Sequence, residues 1–176
     1  MLFKTALAQL ALVIFSVSGA AAQEKPRLLT THVDVSGEVQ HNLSLNVEDL
    51  RALAARKGGP IVATKVASEL PQAYRDYTGM RLTDVLEEAG ILREERHALR
   101  RTYVVATASD GYKAIFSWGE LYNSPVGRGV LVVYERGGVA LDEGEGLIAL
   151  VSLSDERVGP RHVKWLGRIE VHRVPE

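Results

Sequence analysis

The chain has 176 residues, 46% of them hydrophobic and 24% charged, which suits one globular domain of ordinary size. Its 21 basic residues against 22 acidic ones give a formal net charge of −1, a balance that argues against a general nucleic-acid binder. The absence of cysteine removes disulfides, thiolate nucleophiles and thiolate metal ligands together.

The first stretch reads as an export signal rather than as part of the domain. Lys4 supplies a positive head, Ala6 to Val17 is an almost unbroken apolar run, and Gly19-Ala20-Ala21-Ala22 offers small residues for cleavage. The run is shorter than the roughly 20 residues needed to span a bilayer. The expectation is a signal peptide over residues 1–22, cut after Ala22, and a domain over residues 23–176 that is free in a periplasm or outside the cell. Losing Lys4 leaves 20 basic residues against 22 acidic ones, a net of −2.

Leu28 to Val39 alternates apolar and polar residues and predicts a half-buried strand, bent near Ser36-Gly37-Glu38. Leu43-Ser44-Leu45 predicts a second, short strand. Asn46 then has the character of a helix N-cap, with Glu48 and Asp49 in the first turn and Leu50, Leu53 and Ala54 as an apolar stripe. Lys57-Gly58-Gly59-Pro60 ends that helix. Ile61 to Ser68 predicts a strand, and Tyr74 to Gly79 a polar turn. Leu82 to Ile91 predicts a short helix with Val85, Leu86 and Ala89 inward and Gly90 just past its end.

The basic residues between Arg93 and Arg101 interleave with Glu94 and Glu95, which predicts a solvated face. Thr102 to Ala108 and Tyr112 to Phe116 predict a hairpin turning at Asp110-Gly111. Ser117 and Glu120 have capping-box spacing for a short helix through Leu121 and Tyr122. Val130 to Tyr134 predicts a buried strand, followed by a turn at Arg136-Gly137-Gly138. Asp142 to Gly146 lacks the ligand spacing of a calcium loop and reads as a solvated turn.

The last fifth of the chain concentrates the polar chemistry. An apolar strand from Leu147 to Leu153 opens into a loop broken by Gly159 and Pro160, then returns through Trp165 into another alternating strand. The loop carries Arg157, Arg161, His162 and Lys164 as donors and Ser154, Asp155 and Glu156 as acceptors, the equipment for an anion or a flat polar ligand. The alternative is a solvated hairpin tip. The five histidines, His32, His41, His97, His162 and His172, show no paired spacing for a metal.

The segments Ala108-Ser109-Asp110-Gly111-Tyr112, Ser117-Trp118-Gly119-Glu120-Leu121, Val132 to Gly138 and Val163-Lys164-Trp165-Leu166-Gly167-Arg168-Ile169-Glu170-Val171 together resemble the sulfite-oxidase-like molybdopterin-binding domain. The resemblance runs from Val35 to the end of the chain. It implies an α+β fold, a single mostly-β domain with short covering helices, and a pterin held against loops between strands. In enzymes of that family a cysteine thiolate ligates molybdenum, and this chain has none.

The resemblance therefore implies a non-catalytic periplasmic pterin-binding protein, similar to cysteine-less exported members that report pterin to a membrane-bound signalling enzyme of cyclic di-GMP metabolism. The alternatives are a molybdopterin-dependent oxidoreductase or its accessory subunit, and a protein-interaction module with a closed pocket. The expected ligand is a pterin without molybdenum, with no catalytic residue and no metal ligand. Its expected contacts are an aromatic wall at Trp118, with Tyr112 or Tyr122 as further candidates, carboxylates at Glu120 and Asp155, and donors at Arg157, Arg161, His162 and Lys164. The expected partners are the pterin and the periplasmic domain of a membrane signalling protein, not nucleic acid.

Overall fold

The computed structural model describes residues 29–65, 75–94, 97–157 and 159–175. The leader expected at residues 1–22 lies outside them. No helix among the described residues is long and apolar enough to cross a membrane.

Two sheets share one principal core. The first runs in the order β2 (Leu43–Leu45), β1 (Val33–Gly37), β10 (Leu166–Arg173), β5 (Thr102–Ala108), β6 (Lys113–Ser117). The second runs β3 (Ile61–Val62), β4 (Tyr77–Arg81), β7 (Val130–Arg136), with β8 (Val139–Ala140) and β9 (Ala149–Ser152) sharing the far edge of β7. Among the described residues three α-helices complete the set: α1 (Val47–Arg56), α2 (Leu82–Ala89) and α3 (Trp118–Asn123).

Local sequence explains where the helices begin. The Asn46 side chain accepts from the Asp49 amide at 2.9 Å while the Asp49 carboxylate accepts from the Asn46 amide at 3.1 Å, a reciprocal box that satisfies two otherwise orphaned donors. Ser117 and Glu120 repeat the arrangement at α3. Gly90 ends α2 with a positive φ of 71°, as its position predicted.

β7 is buried along most of its length because both of its faces are covered. Val130, Val132 and Tyr134 point into the principal core with Val33, Val104, Phe116, Ile169 and Leu150, whereas Leu131 and Val133 join a second cluster with Tyr77, Ala149 and Val151. The period of two along the strand thus serves two cores, which is why its sequence is nearly all apolar.

Several expected boundaries change. The first strand is confined to Val33–Gly37, and the strand expected from Ile61 stops at Val62 and becomes a single 3₁₀ turn, Ala63–Lys65; the remainder of that stretch lies outside the described residues. The polar turn expected up to Gly79 is instead strand β4 from Tyr77 onward, with Tyr77 fully buried. Gly79 had suggested a turn, but its missing side chain lets β7 approach: a Cβ there would lie 2.1 Å from the Val132 carbonyl oxygen, beside a register shift between Thr78 and Gly79. Tyr74 lies outside the described residues.

The two terminal strands do not form a hairpin. β9 belongs to the second sheet and β10 to the first, so residues 153–165 carry the chain from one sheet to the other. Val163 pairs with Leu150 on the way, and Leu166 donates to the Ile148 carbonyl at 2.9 Å. The polar loop is thereby seamed to the edge of β9 before it enters β10.

Candidate functional site

The crossing loop meets two other segments, the β5–β6 turn and residues 142–146. Tyr112 follows that turn, and its hydroxyl donates to the Pro160 carbonyl at 2.7 Å. Asp110 tightens the same turn by accepting from the Tyr112 amide at 2.9 Å. A cleft of about 230 Å³ opens between them, lined by Asp110, Tyr112, Gly159, His162, Lys164 and Trp165. Lys164 also borders a neighbouring depression of about 430 Å³ that reaches Arg136, Leu141 and Asp142.

Trp165 forms one wall of the cleft in a backbone conformation with φ 48°, which a bulky side chain rarely adopts. The surroundings hold it there. Its amide donates to the Glu145 carbonyl at 2.7 Å, its carbonyl accepts from the Ser109 amide at 2.9 Å, and its indole donates to the Glu143 carbonyl at 2.8 Å. Gly146 packs so closely that a Cβ there would lie 2.7 Å from the Trp165 Cα. A conformation that costs on the order of 1–3 kcal/mol is kept only where neighbours over-determine it, and such residues concentrate at ligand sites.

The charged side chains form two networks. In the first, the Arg161 guanidinium donates from Nε to Asp155 at 2.9 Å, from Nη2 to the other Asp155 oxygen, and from Nη1 to Glu120 at 2.9 Å, while lying 4.7 Å from the centre of the Phe116 ring. The Ser152 hydroxyl donates to Asp155 at 2.7 Å. Burial would raise the Asp155 carboxyl, but the Arg161 and Ser152 hydrogen bonds outweigh it and hold it below its usual range. Glu120 is lowered in the same way, with the Ser117 amide and Arg161 overcoming burial. Hydrogen bonding to Asp155 in turn raises Arg161.

In the second network, Glu145 accepts from Lys164 at 2.9 Å through one oxygen and meets His162 Nε2 at 2.8 Å through the other. Burial raises this carboxyl, yet the His162 and Lys164 hydrogen bonds bring it down to about 2. Asp142 shapes the turn that presents Glu145, accepting from the Gly144 and Glu145 amides at 2.9 and 3.1 Å. The 142–146 segment is therefore not simply a solvated turn. Its acidic content answers the cations of the loop that faces it.

Of the residues expected at the site, His162 and Lys164 line the cleft, and Glu120, Asp155 and Arg161 come together beside it as a closed ionic group. Arg157 is exposed and is not part of the lining. Trp118 is elsewhere: it stacks on Tyr122 with centroids 5.2 Å apart and an interplanar angle of 17°, against the principal core. The aromatic walls are supplied instead by Trp165 and Tyr112, with Glu145 behind them. Trp165 resembled only the start of a strand in sequence, because its positive φ depends on contacts from residues 109, 143 and 145. Glu145 could have been found by matching the acidic turn to the basic loop that follows it in sequence.

The model of the oxidoreductase molybdopterin-binding domain matches residues 22–176. The chain belongs to this family. Its fold is shared with a solved relative, the sulfane dehydrogenase SoxCD from Paracoccus pantotrophus, with a TM-score of 0.55 at 19% identity over 88% of this chain. The match spans 40% of that relative's chain, so the domain is less than half of the larger protein. No curated protein is similar enough in sequence to match.

The family's cofactor joins a pterin ring to a phosphate and a metal, and the residues present fit these parts unequally. Two aromatic walls with hydrogen-bonding side chains between them suit the ring. For a metal, no group of three or more His, Asp or Glu side chains converges among the described residues, and the sequence offers no thiolate. For a phosphate, Arg161, His162 and Lys164 are already engaged by carboxylates.

Proposed function

We propose that this domain is a non-catalytic pterin-binding protein that acts in the periplasm and reports ligand occupancy to a membrane-bound signalling enzyme of cyclic di-GMP metabolism. The observation that carries the binding half of this reading is the cleft between Tyr112 and Trp165, with Asp110, His162 and Lys164 at its margin, in a chain of molybdopterin-binding family that has no cysteine. A flat heterocycle placed there stacks on aromatic surface and presents its amide and amino edge to the polar groups. The volume of about 230 Å³ lies under the roughly 300–1,000 Å³ of sites for drug-sized ligands, which favours a small ring system over a large cofactor.

The reporting half rests on the resemblance to exported, cysteine-less members. It requires the pterin to bind the partner-engaged and free forms with different affinities, because a ligand that binds both equally shifts no equilibrium.

Native mass spectrometry of the exported protein tests the reading directly. The expected result is a mature chain beginning at Gln23 with one co-purified pterin and no molybdenum. Added pterin at about a hundred times its Kd should stabilise the fold by about 2.7 kcal/mol, raising Tm by several degrees. The family description favours a second reading, a molybdopterin-dependent oxidoreductase or its accessory subunit. Stoichiometric molybdenum together with redox turnover would establish that reading and remove the first.

A further inference from the structure

The positive charge of the crossing loop is largely neutralised inside the protein. Arg161 faces Asp155 and Glu120, and His162 and Lys164 share Glu145. Asp110 adds a fourth carboxylate at the margin of the cleft. Three basic side chains are thus surrounded by four acidic ones. Of these, Glu120 and Asp155 are held below their usual range by hydrogen bonds that outweigh burial, and Glu145 is brought down to about 2.

A phosphate entering the cleft finds, among the described residues, His162 and Lys164 as the basic side chains of the lining, both already facing Glu145. To bind Lys164 or His162 it would have to stand as a like charge beside the Glu145 carboxylate, which both already hold at 2.8–2.9 Å. An uncharged ring with amide and amino hydrogens meets no such repulsion and brings its donors to Asp110, the carboxylate that lines the cleft.

Building on the pterin reading above, we propose that the cleft selects an uncharged pterin-like heterocycle and rejects the phosphate-bearing form, and that Glu145 and Glu120 set this selectivity by holding the loop's cations. Glu145 is the nearer determinant, because both of its partners line the cleft. Glu120 acts through Arg161 and is a positioning residue. The usual reading of a basic loop as an anion cradle is inverted here by the acids that face it.

Calorimetric titration of the full chain with neopterin and with its side-chain phosphate monoester tests the proposal. The wild-type chain should bind neopterin at least about tenfold more tightly than the ester, with little dependence on salt. Glu145→Gln, by releasing Lys164 and His162, should narrow that ratio about fivefold or more and make ester binding salt-sensitive. Glu120→Gln should narrow it less; it preserves the capping box, so it stands in if Glu145→Gln does not fold. Ester binding as tight as neopterin in the wild type, or a ratio unchanged in both variants, would overturn the selectivity while leaving the pterin reading intact. Failure of the wild type to bind either compound would overturn both.

Discussion

A carboxylate held between a lysine ammonium and a histidine ring in a half-buried turn stabilises the fold most while it is ionised, and Glu145 makes that dependence measurable. Burial opposes its ionisation, but His162 and Lys164 lower it from an ordinary value of 4.5 to about 2. A depressed folded value means that its contribution is fully present above about 4.5 and is lost as pH falls through that window toward 2. The wild-type Tm should therefore drop steeply on acidification across that range, and Glu145→Gln should flatten the profile there. At neutral pH the substitution should cost about 1–2 kcal/mol, less than the ~3–5 of a fully buried broken pair. Lys164 is 41% exposed, so water compensates part of the loss. Differential scanning calorimetry from pH 2 to 7 checks both statements.

The capping boxes and the β5–β6 hairpin were legible because each depends on a few neighbouring residues. Ser117→Ala removes the acceptor for the Glu120 amide and should cost about 1 kcal/mol in urea unfolding, with the helix it caps leading straight into the ionic group around Arg161. β4 was misread for an equally physical reason. A glycine after Tyr77 and Thr78 looks like a turn until the opposing strand is known, and here β7 lies against it so closely that no side chain fits. Gly79→Ala should destabilise by at least about 3 kcal/mol, since the nearest atoms are backbone and cannot swing aside. A neutral effect would show that the two strands separate readily. Trp118 was misplaced at the same scale: its neighbour one helical turn on, Tyr122, is a stacking partner that captures the ring away from the cleft.

At the scale of the whole molecule, the family resemblance implied the mixed, mostly-sheet fold and residue types revealed the polar loop, but neither showed that this loop joins two different sheets. That fact follows from long-range pairing, with β9 against β7 and β10 between β1 and β5, and no local pattern encodes it. The donors were legible for the same reason that much of their pairing was not: arginines can be counted in a string, whereas two of the three carboxylates opposing them come from α3 and the 142–146 turn. Leu150 lies where β9, β7 and the loop meet, and is fully buried. Leu150→Ala should cost about 2–5 kcal/mol and weaken pterin binding together with stability, because the seam at Val163 positions the cleft wall. Thermal and binding measurements on one preparation check whether the two effects move together.

The order of the first sheet carries a further consequence. Its middle strand, β10, follows the other four in chain order, and among the described residues the pieces on either side of it, β2 with β1 and β5 with β6, are joined in the sheet only through it. A growing polypeptide must therefore wait for these final residues before the two halves can be joined.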